Sequence, residues 1–157
     1  MKTFIDMEKK NKIDKSYLTA IHRKSASAPL MWLLKHNLIN GRVLDYGCGY
    51  GTDVLELQKR DYEAAGYDPY FFNDMPKGSF DTVLCTYVLN VLPADEQKKV
   101  IEQLKKKLKK NRRAYITVRR DIKQPITTSH GTYQDYVLLP FPVVTENKRY
   151  CIYELTL

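Results

Sequence analysis

The most informative segment of the sequence is Arg42-Val-Leu-Asp-Tyr-Gly-Cys-Gly-Tyr-Gly-Thr-Asp53. Val43 and Leu44 are typical of the end of a buried strand. Three glycines follow at alternate positions, namely Gly47, Gly49 and Gly51. Because glycine has no Cβ atom, this backbone can reverse sharply and approach a ligand closely. The stretch therefore predicts a strand that ends in a ligand-binding turn.

A helix is predicted directly after the turn. Thr52 or Asp53 can cap it, and Val54 and Leu57 begin its apolar side. In doubly wound α/β proteins, a turn between the carboxyl end of a strand and the amino end of a helix is the usual site of a nucleotide-like cofactor, because free backbone N–H groups surround it. The spacing does not match the G-x-G-x-x-G dinucleotide fingerprint or the phosphate-binding P-loop, which ends in Gly-Lys-Ser or Gly-Lys-Thr.

Asp68 is a second candidate ligand-binding residue. It follows a short predicted strand at residues 64–67 and precedes Pro69, which disfavours a helix at this point. A carboxylate in this position can accept two hydrogen bonds from ribose hydroxyls and so fix the sugar. The structural alternative is an ordinary Asp-Pro turn.

These two motifs resemble those of the class I S-adenosylmethionine-dependent methyltransferases, whose motif I is an apolar strand, an acidic residue and G-x-G-x-G. The resemblance implies an α/β fold, with a Rossmann-like sheet and helices on both faces, in one domain over residues 1–157. It also implies S-adenosylmethionine as the cofactor, with Asp68 at the ribose. The other residues expected around the cofactor are Asp45, Tyr46, Gly47, Cys48, Gly49, Asp53, Pro69, Tyr70, Cys85 and Tyr87.

A narrower resemblance rests on four segments of the chain. They are His22-Arg23-Lys24, the Asp-Tyr-Gly-Cys-Gly turn, Gly66-Tyr67-Asp68-Pro69 and Tyr87-Val-Leu-Asn-Val-Leu92. Together they resemble a group of bacterial methyltransferases associated with DNA phosphorothioation, which implies a link to nucleic acid.

The interval after Asp68 is short for this fold. Only eleven residues separate Asp68 from Phe80, whereas a helix, a strand and their turns take roughly thirty. We therefore predict that strand three and its preceding helix are missing and that strand two lies at the sheet edge, where a second copy can pair with it in a homodimer. The aromatic run at residues 70–72 can either stack on the adenine, replacing the lost wall, or cover the sheet edge.

Apolar patterns predict the remaining elements. Residues 16–40 are expected to form a helical cover, with one helix around Tyr17 to Ile21 and a second that starts at Pro29 and stops at Asn40-Gly41. Strands are expected at residues 80–84 and 113–118, with a final antiparallel pair at residues 137–139 and 150–157. A lysine-rich helix is expected to start at Pro93 and Asp95, and residues 122–136 to form a loop.

The chemistry of methyl transfer requires few groups. Displacement at a sulfonium is in line, so the protein mainly aligns the acceptor and excludes water. Tyr87 and Asn90 follow the segment that resembles the family's fourth strand, and both are expected to face the crevice. His22 is the third catalytic candidate, because family members cover the cofactor with the helix that precedes strand one. Further candidates for a base or for orienting an anion are His130, Tyr133, Arg119 and Arg120. Each has an ordinary structural role as its alternative.

The chain of 157 residues has a formal charge of +8, from 26 basic and 18 acidic residues. Much of the excess lies in one basic cluster, which consists of Lys98, Lys99, Lys105, Lys106, Lys107, Lys109, Lys110, Arg112 and Arg113. This cluster can bind nucleic acid, or it can be the solvated face of an amphipathic helix. We expect no membrane span, no metal site and no disulfide framework, in keeping with a cytoplasmic protein.

Three functions remain open on this sequence. The leading one is a methyltransferase that acts on nucleic acid, as the charge and the narrower resemblance suggest. The second is a methyltransferase of small molecules, which the short loops favour. The third is a non-catalytic binding subunit that keeps the cofactor fold.

Overall fold

The computed structural model describes residues 16–129 and 131–157, so the expectations for residues 1–15, which are polar and predicted to be mobile, and for His130 lie outside it. Three α-helices are described, α1 (Ala28–Lys35), α2 (Thr52–Lys59) and α3 (Ala94–Lys107). The strands are β1 (Val43–Tyr46), β2 (Ala64–Tyr67), β3 (Phe80–Thr86), β4 (Leu108–Arg119), β5 (Ile126–Thr127), β6 (Tyr133–Gln134), β7 (Val143–Glu146) and β8 (Tyr150–Leu155). Short 3-10 turns lie at Ser16–Thr19 and Leu89–Val91.

Six strands form one sheet in the order β2-β1-β3-β4-β8-β7. The first four in this order run parallel, and β8 is antiparallel to both β4 and β7. Val43 of β1 pairs with Ala64 on one side and with Thr82 on the other. This arrangement confirms the predicted Rossmann-like sheet. Within the described residues, no helix or strand lies between β2 and β3, so β2 is the edge strand, as predicted.

The helices cover both faces of the sheet. Alternate residues of a strand point to opposite faces, and neighbouring residues such as Val43 and Leu44 accordingly belong to different buried clusters. On one face, α1 and α2 pack through Leu30, Leu33 and Leu57. On the other face, α3 packs through its own buried apolar residues, Val100 and Leu104. The prediction of helices on both faces is therefore confirmed.

Helix α3 runs from the carboxyl ends of the parallel strands back to their amino ends. It starts after Pro93, beyond the carboxyl end of β3, and it ends where Leu108 pairs with Phe80, the first residue of β3. Its fourteen residues correspond to a length of about 21 Å at 1.5 Å per residue. One end of α3 thus lies at the carboxyl edge of the parallel strands and the other end at the opposite edge.

The first helical segments differ from the prediction. Ser16–Thr19 is a single 3-10 turn and does not extend to Ile21. Helix α1 has proline in its first turn as predicted, but it ends at Lys35. Asn37 then adopts a left-handed conformation with φ 54°, which ends the helix before Asn40-Gly41 is reached.

The final antiparallel pair also differs from the prediction, because its first strand is β7 and not residues 137–139. The Val137 carbonyl accepts a hydrogen bond from Nη1 of Arg120 at 2.9 Å, so a side chain takes the place of a sheet partner there. None of residues 122–129 and 131–136 is helical, as predicted, although β5 and β6 form a short hairpin among them.

Candidate active site

The glycine turn begins where β1 ends and is held against β2. The amides of Gly47 and Cys48 both donate to the Tyr67 carbonyl, at 2.7 and 3.0 Å. Gly47, Gly49 and Gly51 have φ of 80°, 54° and 83°, conformations that side chains rarely adopt. A Cβ atom on Gly49 would meet only the Ala20 methyl, at 3.7 Å. The turn therefore leaves an open cradle beside Gly49.

A cleft of about 340 Å³ lies over this turn, near the small end of the roughly 300–1,000 Å³ usual for small-molecule sites. Its walls are the glycine turn, the residues that follow β2, the end of β3 with part of the segment after it, and part of the segment before α1. The last two parts consist of Thr86, Tyr87, Val88, Val91 and Leu92, and of Thr19, Ala20, Ile21 and Arg23. Ten of the predicted cofactor residues line it, namely Asp45, Tyr46, Gly47, Cys48, Gly49, Asp53, Asp68, Pro69, Tyr70 and Tyr87. Cys85 does not line the cleft, because its side chain is fully buried in the sheet; Thr86 lies there instead.

Asp68 lies at the end of β2, in the cleft wall, as predicted. Its Oδ1 accepts hydrogen bonds from the amides of Tyr70 and Phe71, at 2.9 and 3.3 Å. Its Oδ2 accepts one from the Gly49 amide at 3.1 Å. Since a carboxylate has about four acceptor positions, Oδ2 can still accept a hydrogen bond from a sugar hydroxyl. The loop bonds orient the carboxylate for this role.

Asp45 is the most unusual titratable residue of the cleft, because its carboxyl group is buried. It is 4% exposed, and none of the described residues donates a hydrogen bond to its carboxylate. Burial raises the pKa of this carboxyl well above its usual value, the charges of Asp53 and Asp68 raise it further, and Arg23 opposes them. A buried carboxylate without a partner is costly, so its place in the cleft suits a cationic ligand group such as an ammonium.

Asp53 has a structural partner that the sequence did not predict. The amide and hydroxyl of Ser27 donate to its two carboxylate oxygens, at 2.7 and 2.6 Å, and both residues are buried. Asp53 is also not the cap of α2, because Gly51 holds that position without a side-chain hydrogen bond. The Ser27–Asp53 link joins the start of α1 to the start of α2 and fixes the segment that covers the cleft.

Tyr87 follows β3 and lines the cleft, as predicted. Its backbone is left-handed, with φ 58°, and its amide donates to the Thr117 carbonyl at 2.9 Å. Strained backbone of this kind is often found at functional sites. Burial raises the pKa of the phenol to about 12, although the nearby Arg23 opposes this. The side chain is therefore a neutral phenol at physiological pH, able to orient an acceptor but not to act as a strong base.

Two other catalytic candidates are not in the cleft wall. Asn90 is 1% exposed and does not face the crevice, because it lies in the Leu89–Val91 turn and its Nδ2 donates to Gln134 at 3.0 Å. That prediction is wrong. His22 is exposed beside the cleft and stacks on Tyr50, with ring centroids 3.5 Å apart.

The arginines proposed to orient an anion are already engaged. Arg119 forms a two-pronged ion pair with Asp121. Arg120 is 3% exposed and donates to the Tyr153 hydroxyl at 2.7 Å as well as to a backbone carbonyl. Arg23 lines the cleft and has no ion pair within the described residues. It lies 5.8 Å from the Tyr87 ring centroid.

The aromatic run after Pro69 takes a third position that was not anticipated. Phe71 contacts Tyr50, with centroids 4.5 Å apart, and a Cβ on Gly51 would be 3.4 Å from Phe72. Both rings therefore pack on the glycine turn, and Tyr70 is the member of the run that lines the cleft.

The cleft also contains residues that sequence reasoning missed. They are Thr19, Ala20, Ile21, Tyr50, Thr52, Val88, Val91, Leu92, Glu96 and Val100. The segment before α1 was predicted to be a helical cover, but its individual cleft residues were not predicted. Glu96, an acidic residue in the first turn of α3, has an ordinary explanation in the helix dipole, so nothing in its sequence context marked it as a cleft residue.

Most of the basic cluster lies away from the cleft. Seven of its nine residues, from Lys105 to Arg113, lie at the end of α3 or the start of β4. Six of the nine contact an acid or a carbonyl; for example, Lys109 and Arg112 are both 3.3 Å from Asp81. From Arg113 to Thr117, which pairs with the cleft residue Thr86, β4 spans four residues, or about 13 Å. This distance separates the seven residues from Lys105 to Arg113 from the cleft edge, whereas Lys98 and Lys99 lie between the cleft residues Glu96 and Val100.

Three features fit a cofactor with an amino acid part and a ribose: the open cradle beside Gly49, the carboxylate of Asp45, which accepts no hydrogen bond from the described residues, and the remaining acceptor capacity of Asp68. With the parallel sheet, they define the class of Rossmann-like enzymes that bind a nucleoside-type cofactor. Residues 17–145 match the methyltransferase domain family, and the chain belongs to this family. It is an S-adenosylmethionine-dependent methyltransferase.

Solved structures share the fold at low sequence identity. The 1,6-didemethyltoxoflavin-N1-methyltransferase of Burkholderia thailandensis, bound to 1,6-didemethyltoxoflavin and S-adenosylhomocysteine, superposes with a TM-score of 0.72 at 14% identity over 94% of this chain and 88% of that one. Magnesium protoporphyrin IX methyltransferase of Synechocystis PCC 6803, bound to S-adenosylhomocysteine, gives 0.55 at 18% identity over 98% and 87%. A glycopeptide N-methyltransferase bound to S-adenosylmethionine gives 0.59 at 12% identity over 84% and 94%.

No curated protein sequence matches this chain. Within residues 16–129 and 131–157, no helix is long and apolar enough to cross a membrane. The same residues contain no group of three or more side chains arranged to hold a metal ion.

Proposed function

We propose that the protein methylates a small acceptor molecule that enters the cleft beside Tyr87. The observation that carries this proposal is the position of the basic cluster: seven of its nine residues lie about 13 Å or more from the cleft edge along β4. Six of the nine cations are already in contact with an acid or a carbonyl. A nucleic acid held mainly by that cluster would lie on the far edge of the sheet. The solved structures with this fold include enzymes named for small molecules.

In this proposal, the chain positions both reactants. When bound, S-adenosylmethionine supplies an electrophilic methyl group: the lone pair of the acceptor forms the new bond to carbon, and the electrons of the broken C–S bond stay on sulfur. Asp68 holds the ribose, and Asp45 holds the ammonium of the amino acid part. Tyr87 orients the acceptor as a neutral phenol, and any acceptor proton leaves to solvent. Residues 19–23 exclude water from above.

Nucleic acid is the second candidate acceptor, and two observations favour it. The chain carries a formal charge of +8, and Lys98, Lys106 and Lys110 have no ion pair within the described residues. The narrower resemblance to methyltransferases associated with DNA phosphorothioation points the same way. A strand long enough to reach from the basic cluster to the cleft could contact both.

Transfer of labelled methyl groups distinguishes these candidates. The purified protein is incubated with labelled S-adenosylmethionine and, separately, with DNA, RNA, protein and metabolite fractions from cells. We expect label in the metabolite fraction, and equal labelling by a Lys106→Gln/Lys110→Gln variant. Label in DNA or RNA instead, with transfer that falls as salt is raised and is weaker in that variant, would refute the small-molecule proposal and support the second candidate.

Cofactor titration tests whether the chain is a catalyst at all. We expect calorimetric binding of S-adenosylhomocysteine to the wild type and its loss in Asp68→Ala. A wild-type protein that binds no cofactor would leave only a scaffold role. Binding that is unchanged in Asp68→Ala would instead refute the assignment of the ribose to Asp68.

A further inference from the structure

The residues that line the cleft divide into two groups, one on each face of the sheet. We call the two parts of the cleft beside these groups its first and second arm. Asp45 and Tyr46 are neighbours at the end of β1, so their side chains point to opposite faces. Asp45 lies on the side of Arg23 and Asp53, whose charges act on it. Tyr46 packs on the α3 side. The first arm suits the amino acid part of the cofactor, because it holds the unpartnered carboxylate of Asp45.

The second arm is an apolar slot with one charged residue. Tyr46, Val88, Val91, Leu92 and Val100 line it. The charged residue of this arm is Glu96, in the first turn of α3. A flat heteroaromatic ring with a polar edge matches a slot of this composition.

The ribose carboxylate is next to the second arm. Tyr46 pairs with Tyr67 in the sheet, their ring centroids are 5.1 Å apart, and Asp68 follows Tyr67 directly. A sugar held by Asp68 therefore has the first arm on one side and the slot on the other. The base of a nucleoside must leave the sugar in the direction away from the amino acid part, which is the direction of the slot.

Glu96 has the capacity to bind the edge of this base. Its side chain is 23% exposed, and its Oε1 accepts from Lys99 at 2.9 Å. Within the described residues, Oε2 has no donor. The exocyclic amino group of adenine is a hydrogen-bond donor, and a carboxylate is the side chain best suited to accept from it.

We propose that Glu96 of helix α3 is the residue that recognises the adenine amino group, from the face of the sheet on which α3 packs. The inference rests on S-adenosylmethionine being the cofactor. It assigns to α3 a binding role that neither its lysine-rich sequence nor its apolar stripe suggests. If the slot does not bind adenine, it binds the methyl acceptor, and the test includes a result that supports this alternative.

The test compares two ligands that differ only at the base edge. S-adenosylhomocysteine carries the amino group, and S-inosylhomocysteine carries a carbonyl oxygen in its place, which a carboxylate repels. We expect the wild type to bind the adenosyl ligand about tenfold or more tightly in calorimetry. In Glu96→Gln, whose amide can donate to the carbonyl, the ratio should fall to within about threefold, because binding of the inosyl ligand strengthens.

Glu102→Gln is the matched control. Glu102 lies on the same helix and pairs with Lys105 at the same spacing, but it is 64% exposed. Its substitution should leave both affinities unchanged. Asp68→Asn should weaken both ligands by the same factor, since the sugar is common to them.

Three results would overturn the inference. Equal wild-type affinity for the two ligands does so without any variant, and this holds even if Glu96→Gln fails to fold. An unchanged preference in a folded Glu96→Gln assigns the slot to the acceptor. Failure of the wild type to bind either ligand overturns the cofactor assignment itself, which is a different and recognisable outcome.

Discussion

Replacement of Asp45 by asparagine should make the protein more stable and a weaker cofactor binder. The carboxylate is 4% exposed, receives no hydrogen bond from the described residues, and lies near the charges of Asp53 and Asp68. An amide keeps the shape and removes the charge. Leaving a buried polar group unsatisfied costs about 1–3 kcal/mol, and more when it is charged. At about 2–4 °C per kcal/mol for a chain of this size, the melting temperature at neutral pH should rise by several degrees.

The pH dependence of this effect has a definite sign. Because the pKa of Asp45 is raised in the folded protein, the unfolded chain loses this proton at a lower pH than the folded one does. Wild-type stability is therefore fully present below the unfolded pKa, about 4, and is lost as pH rises towards the folded pKa. The stability gained by Asp45→Asn should vanish at acidic pH and appear as pH rises. Thermal melts of both proteins across the pH range measure it.

Cofactor binding should change in the opposite direction. Loss of a charge-assisted contact to the ligand ammonium should weaken S-adenosylhomocysteine about tenfold or more at neutral pH. The control is Asp81→Asn, at the far edge of the sheet. Asp81 accepts from the Arg42 amide, which lowers its pKa, so this variant should lose stability at neutral pH and keep its ligand affinity. An Asp45→Asn protein that melts lower than the wild type and binds the ligand normally would refute the reasoning.

Three further predictions follow from the described contacts. Ser27→Ala should lower stability by about 1–3 kcal/mol in thermal melts, because Asp53 loses a buried donor, whereas exposed Ser25→Ala should not; equal melting of the two would argue against the link. Gly47→Ala should abolish binding of S-adenosylhomocysteine because its Cβ would overlap the side chain of Val88, which lines the cleft, whereas Gly78→Ala, at nearly the same φ but away from the cleft, should lower stability alone; retained binding in Gly47→Ala contradicts this. The exposed edge of β2 should pair two copies, so sedimentation should show a dimer, and a monomer at high concentration would exclude this pairing.

The sheet and the methionine side of the cleft were predictable because their signals are local. The glycines at positions 47, 49 and 51 need left-handed backbone, which few other residues tolerate. Asp68 could be found from its place after a strand, and the missing strand from the count of residues before Phe80.

The remaining site features depend on contacts between distant parts of the chain. Asp53 was interpreted as a cofactor residue, but its partner Ser27 lies 26 residues earlier. Asn90 was expected in the crevice because it follows β3, yet a 3-10 turn directs it to Gln134, 44 residues away. Local pattern cannot reveal which of two polar residues, far apart in sequence, will satisfy the other when both are buried.

Helix α3 gives the two edges of this small domain a common rigid element. Glu96 near its start lines the cleft, and Lys105, Lys106 and Lys107 at its end belong to the basic cluster. Any displacement of the helix along its axis moves both ends together. A polyanion that binds the cluster and shifts the helix must then change the affinity for the cofactor, and thermodynamic linkage requires the cofactor to change the affinity for the polyanion by the same factor. In that case the basic cluster would act as an effector site, coupled to the cleft through one rigid helix.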